Sequence, residues 1–87
     1  MSLKKILSLF LLSFSLIGSS NADFGDGLDA YNAGDNKTAL QEWLALAEQG
    51  DFRAQYNVGW MNAYGIGTLK DYEQAVNWYR KSADQGF

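Results

Sequence analysis

The chain has 87 residues, with 7 Lys and Arg against 10 Asp and Glu, a net charge of −3, and no histidine, cysteine or proline. That length allows one domain at most. The missing His and Cys exclude disulfides, thiolate nucleophiles, serine-type triads and the usual zinc sites, and the acidic balance argues against a nucleic-acid partner, which needs clustered Lys and Arg.

In chain order, Lys4 and Lys5 precede an apolar run, Ile6 to Gly18, followed by the small or polar residues Ser19, Ser20, Asn21 and Ala22. Ser20 and Ala22 fall at minus three and minus one of a cut before Asp23, which completes the three-part layout of a secretory signal peptide. The run is 13 residues long, and a spanning helix needs roughly 20. The sequence therefore predicts a cleavable leader over residues 1–22, contact with the membrane only during export, and a periplasmic or secreted product. No cysteine stands at the cut to take a lipid anchor. Residues 23–87 keep all ten acidic residues and five basic ones, Lys37, Arg53, Lys70, Arg80 and Lys81, for a net charge of −5. Without disulfides, packing alone must hold so small an exported domain together.

Glycines divide the remainder into helix-length blocks. Phe24 to Ala33 places Phe24, Leu28 and Tyr31 at i, i+4 and i+7. Asn36 to Gln49 carries a helical stripe of Ala39, Leu40, Trp43, Leu46 and Ala47. Phe52 to Tyr64 carries Ala54, Val58 and Met61, with Gly59 allowing a second helix backbone to approach. Tyr72 to Gln85 repeats the stripe with Tyr72, Ala75, Val76, Tyr79 and Ala83. Asp35 and Asp71 are natural N-caps, and Gln74 three residues after Asp71 approximates a capping box. Gly50 and Gly86 suit left-handed C-terminal positions. The four predicted helices cover residues 24–33, 36–48, 52–64 and 72–85.

A shift of 36 residues carries Asp35 to Asp71, Ala39 to Ala75, Ala47 to Ala83, Gln49 to Gln85 and Gly50 to Gly86, all identical, and Trp43 to Tyr79. Self-similarity at such a period marks a repeat array. The predicted fold is all-α: an α/α-hairpin repeat array, a short right-handed solenoid of about two repeats and four helices.

The segment "AQYNVGWMNAYGIGTLKDYEQAVNWYRKSADQG", Ala54 to Gly86, closely resembles one Sel-one-like repeat, a tetratricopeptide-type α-hairpin. The matching places are Ala54, Val58 and Gly59, Gly65 and Gly67, Asp71, Ala75, Trp78 and Tyr79, Lys81 to Ala83, and Gln85 and Gly86. The earlier stretch, "GLDAYNAGDNKTALQEWLALAEQGDFRAQ", looks like the shorter unit that opens exported bacterial members of the family. With the predicted leader (1–22), the resemblance divides the rest of the chain into a first hairpin (23–51) and a Sel-one-like repeat (52–87). Two positions depart from the pattern. Asn62 stands in place of a Tyr, with Tyr64 placed to refill the space, and Thr68 and Leu69 stand in place of Val-Pro.

Among motifs that could carry chemistry, Gly65-Ile66-Gly67 comes nearest to a phosphate loop. It follows a helix rather than a strand and lacks a third glycine or a Gly-Lys-Thr ending, so its positions suit the turn between two helices. The carboxylates Asp26, Asp29, Glu42, Glu48, Asp71, Glu73 and Asp84 read as caps and solvated faces rather than as a catalytic pair. Asn36-Lys37-Thr38 is a formal glycosylation sequon at a helix start, where Asn and Thr are ordinary, in a chain of bacterial appearance. No enzyme, metal or cofactor is expected.

The aromatics are more informative. Tyr56, Trp60 and Tyr64 are four residues apart and so share a helix face. The family resemblance places them, with Arg53, on the concave side of the array. They serve either as core or as interface anchors, the role aromatics and Arg take at protein surfaces. The expected function is binding of a protein or peptide in a shallow groove lined by Arg53, Tyr56, Trp60 and Tyr64, with Arg53 pairing an acidic group. The alternative is a short structural unit that self-associates as a homo-oligomer to cover the open end of its array, since arrays usually need about three repeats.

Overall fold

The computed structural model describes residues 23–87; the leader predicted over 1–22 lies outside the described residues. Four helices follow one another, α1 (Phe24–Asn32), α2 (Asn36–Glu48), α3 (Phe52–Tyr64) and α4 (Tyr72–Asp84), and no strand occurs among the described residues. Each helix packs chiefly on its neighbour in sequence, α1 on α2, α2 on α3 and α3 on α4. This is an all-α hairpin array, with boundaries within one residue of those the sequence predicts.

Every helix starts on an aspartate. Asp35 accepts from the Thr38 amide at 3.2 Å and Asp71 from the Gln74 amide at 3.1 Å, the latter being the backbone half of the capping box. Asp23 and Asp51 cap α1 and α3 in the same way, and these two the sequence reading passed over. The Thr38 hydroxyl and amide hold the Asp35 carboxyl below its usual range. At Asp51 burial works to raise the value, but hydrogen bonds from Arg53 and from the Ala54 and Arg53 amides outweigh it, and the carboxyl also ends below its usual range. Three helices end alike. Gly34, Gly50 and Gly86 take φ of 84°, 102° and 95°, and the paired bonds Gly50 N–H to Ala47 O and Asp51 N–H to Leu46 O form a Schellman motif repeated at the other two ends.

The core is one cluster of Ala39, Trp43, Leu46 and Ala47 from α2 with Ala54, Val58 and Met61 from α3. The α2 stripe is thus buried as its spacing predicts, with Leu40 packed at its edge. The α4 stripe is not. Ala75 and Ser82 are buried, and Trp78 and Tyr79 partly so, whereas Tyr72, Val76 and Ala83 are exposed. The reason is positional: Leu40 and Leu44 on α2 pack on the core shared with α3, whereas α3 is the one described helix packed on α4 and leaves the corresponding face of α4 uncovered. Leu28 is likewise exposed, and α1 meets Trp43 through the Phe24 and Tyr31 rings, at separations of 5.4 and 6.1 Å, and through Gly27.

Glycine sets the distance within each hairpin. A Cβ on Gly59 would lie 2.9 Å from Tyr79 Cδ1 and 3.2 Å from the Ala75 carbonyl oxygen, the close approach expected of it. Gly27 plays the same part in the first hairpin, where the Trp43 indole occupies the space of the missing Cβ and donates from Nε1 to Phe24 O at 3.1 Å. Gly27 and Gly59 are 32 residues apart, whereas Trp43 and Tyr79 are 36 apart. The four-residue difference lies in the connectors, residues 33–35 in the first hairpin and 65–71 in the second.

Polar side chains fasten α3 to α2 and close the second hairpin on itself. Buried Gln55 donates from Nε2 to Ala47 O at 3.1 Å and accepts from Gln85 Nε2 at 2.8 Å, while Ser82 Oγ donates to Phe52 O at 2.8 Å. All buried side-chain polar atoms among the described residues are satisfied, as a low-dielectric interior requires.

Candidate functional site

The longer connector folds as the turn its glycines imply. Gly65 closes α3 with φ 68°, Gly67 has φ 74°, and Ile66 packs against the core. A Cβ on Gly67 would come within 2.6 Å of the Asn36 carbonyl oxygen, so the loop lies directly on the start of α2. Asp71 N–H donates to Asn62 O at 2.8 Å across the loop. Tyr64 does not refill the space left at Asn62: it is 65% exposed, because four residues after Trp60 it continues the outward face of α3.

That face is the candidate site. Ala54, Val58 and Met61 turn inward to the core, which directs Arg53, Tyr56, Trp60 and Tyr64 to the opposite side of the helix. Tyr56 is 43% exposed, Trp60 is half-buried, and the Trp60 and Tyr64 rings stand 5.9 Å apart. Trp60 also meets Tyr31 of α1 edge-on at 6.1 Å. Tyr56 leans on Tyr79 at 5.3 Å and on Phe87 at 5.1 Å. Arg53 is committed within the chain, 3.4 Å from Asp51 and with its guanidinium 4.5 Å over the Phe24 ring.

Two residues that the sequence reading did not place here belong to the same surface. Tyr79 reaches it because Gly59 leaves room for its ring, and burial pushes the Tyr79 phenol above its usual range, with the Tyr56 and Tyr64 phenols adding to the shift. Leu28 joins by register: with Gly27 equivalent to Gly59, Leu28 stands where Trp60 stands one hairpin later. The signal for both was the glycine–aromatic pair in each hairpin, which a single offset of 36 hides.

One open depression is lined by Tyr72, Glu73, Val76 and Asn77 on α4, and another by Leu46, Gln49 to Phe52 and Arg53 at the α2–α3 turn. Among the described residues no group of three or more His, Cys, Asp or Glu stands together to hold a metal ion, and no helix is long and apolar enough to cross a membrane. An apolar, phenol-rich face of this kind supplies contact area together with hydroxyl groups that can hydrogen-bond.

Fold and surface together define an α-hairpin repeat protein. Comparison with known proteins narrows this further: residues 52–87, which contain α3, the glycine loop and α4, match the Sel1 repeat family. Over 39 residues the chain is 51% identical to a putative Sel1-like repeat-containing protein L18 of Acanthamoeba polyphaga mimivirus, a match that covers 45% of this chain and 7% of that protein. The chain thus aligns with a small part of a much longer relative. No solved structure matches it.

Proposed function

We propose that the chain is an exported, non-catalytic scaffold that binds another protein or a peptide through the aromatic face of α3. Tyr56, Trp60 and Tyr64 supply apolar contact area, Tyr79 and Leu28 extend it, and the phenol hydroxyls offer hydrogen bonds to a partner backbone. Arg53 contributes by exchanging its surface pairing with Asp51 for a partner carboxylate, since an exposed pair of this kind holds it by only about 0–1 kcal/mol. The observation that carries the reading is that Tyr56 and Tyr64 remain 43% and 65% exposed, on either side of Trp60 on one helix face. A contiguous aromatic row that stays partly exposed beside the core is the composition of an interaction surface. The Sel1 repeat match supports a scaffold in the same sense.

The test is affinity capture from an exported fraction by the chain recovered from an exporting host, compared with its Trp60→Ala and Tyr64→Ala variants. Tyr64 is the cleaner probe, because its exposure leaves the fold least dependent on it. Loss of the captured protein with unchanged helical circular dichroism supports the assignment; equal capture by both variants sinks it. The export reading is checked separately by N-terminal sequencing of the recovered protein, which should begin at Asp23. A mature chain that begins at Met1 would contradict it.

A further inference from the structure

The outward faces of α1 and α4 are chemically unlike. By the register that equates Gly27 with Gly59, Asp26 and Asp29 of α1 stand where α3 has Val58 and Met61, both buried in the core. The outer side of α1 is therefore acidic and exposed. At the other end, Val76 and Arg80 stand 36 residues after Leu40 and Leu44, which pack on the core. Here the face keeps apolar groups in the open: Tyr72 is 65% and Val76 49% exposed, with Ala83 beside them. On the helical wheel Glu73, Val76 and Arg80 form a single stripe through this face, with the two charges three and four residues to either side of the valine.

We infer that this face of α4 is where a second copy of the chain docks, α4 against α4 in antiparallel fashion about a twofold axis near Val76 and Asn77. A twofold contact sets the same patch against itself. With the axis there, Glu73 of each copy falls opposite Arg80 of the other, and Tyr72, Val76 and Ala83 meet the same apolar face of the partner. The stripe is thus self-complementary in charge and in hydropathy. A head-to-tail stack is disfavoured by the other end of the molecule, because it would press Tyr72 and Val76 onto Asp26 and Asp29. The contact uses one helix of 13 residues, a patch at the small end of the range for specific interfaces, so the dimer should form at micromolar rather than nanomolar concentration. The inference does not rest on the groove assignment, and the two surfaces adjoin along α4, where Tyr79 stands three residues from Val76 and seven from Tyr72.

Sedimentation equilibrium over a concentration series tests it, with charge reversals that leave the buried side of α4 untouched. Glu73→Arg alone and Arg80→Glu alone each turn two symmetric attractions into repulsions and should weaken the dimer roughly tenfold. Mixing the two variants should restore association as a heterodimer, because each copy then presents the opposite charges at both positions. A chain that stays monomeric at all concentrations overturns the inference. So does association that both single variants leave unchanged, or an open series of larger species, which would show a head-to-tail contact instead.

Discussion

Substituting Gly27 by alanine sets two physical effects against each other with opposite signs. Gly27 lies inside α1, and by helix propensity alone Gly→Ala in a helix interior should stabilise by about 1 kcal/mol. The structure requires the opposite. The new methyl would fall on the Trp43 indole, 2.5 Å from Cδ1 and 2.6 Å from Cε2, so the ring would have to retreat by about 1 Å to reach ordinary contact. Trp43 is only 3% exposed and is held by Phe24 and Tyr31 and by its bond to Phe24 O, so it has nowhere to go without breaking that packing. Overpacking costs about 1–3 kcal/mol and loss of the indole bond about 1 kcal/mol. After the propensity gain, Gly27→Ala should lose about 2 kcal/mol, a fall in Tm of roughly 8–16 °C for a domain of this size. Thermal unfolding followed by circular dichroism measures it, with Gly25→Ala as control, since that methyl meets only the flexible Asp23 carboxylate at 3.1 Å. A Gly27→Ala protein as stable as the parent would refute the claim that this glycine sets the spacing of the first hairpin.

Gly67→Ala should cost about 2 kcal/mol or more, because it combines a positive φ with a clash against the Asn36 backbone; urea unfolding checks this, and a neutral result would mean that the loop does not rest on α2. Ser82→Ala removes the buried bond to Phe52 O, whose carbonyl keeps only its helical partner, for a loss of about 1 kcal/mol by the same assay. Tyr79 gives a prediction at alkaline pH. Its folded phenol titrates above the ordinary tyrosine value, so the unfolded chain loses that proton first, and the stability contributed is full below pH of about 10 and lost as pH rises through the folded value. Tyr79→Phe should therefore show a shallower loss of stability above pH 10 than the parent; identical profiles would show that Tyr79 is not the group responsible.

Much of the fold is legible in the residue pattern because each signal is local. The caps at Asp35 and Asp71, the glycines at 50 and 86 and the α2 stripe act within a turn or two of the chain, and the structure realises them. Burial on α4 is not local. Tyr72 and Val76 have the spacing of core residues, and only the absence of a described helix against them leaves them exposed. Leu28 misleads for a related reason, since its apolar character serves the outward face of α1 rather than the core. The role of Gln55 was illegible: a polar residue in a helix looks solvated until the Ala47 carbonyl and Gln85 are seen to converge on it. Within the candidate site, the spacing of Tyr56, Trp60 and Tyr64 was enough to place them on one face. That Arg53 already has partners in Asp51 and Phe24, and that Tyr79 joins the surface, follow from contacts between helices that a linear pattern does not contain.

The central claim, that the aromatic face of α3 is the binding surface, is tested most directly by hydroxyl-radical footprinting of the chain with and without its captured partner. The account predicts protection of Tyr56, Trp60 and Tyr64 on binding, while Tyr72 on α4 remains as reactive as in the free chain under conditions where the chain alone is monomeric. Protection confined to Tyr72, with Trp60 and Tyr64 unchanged, would contradict it and transfer the binding surface to the outer face of α4.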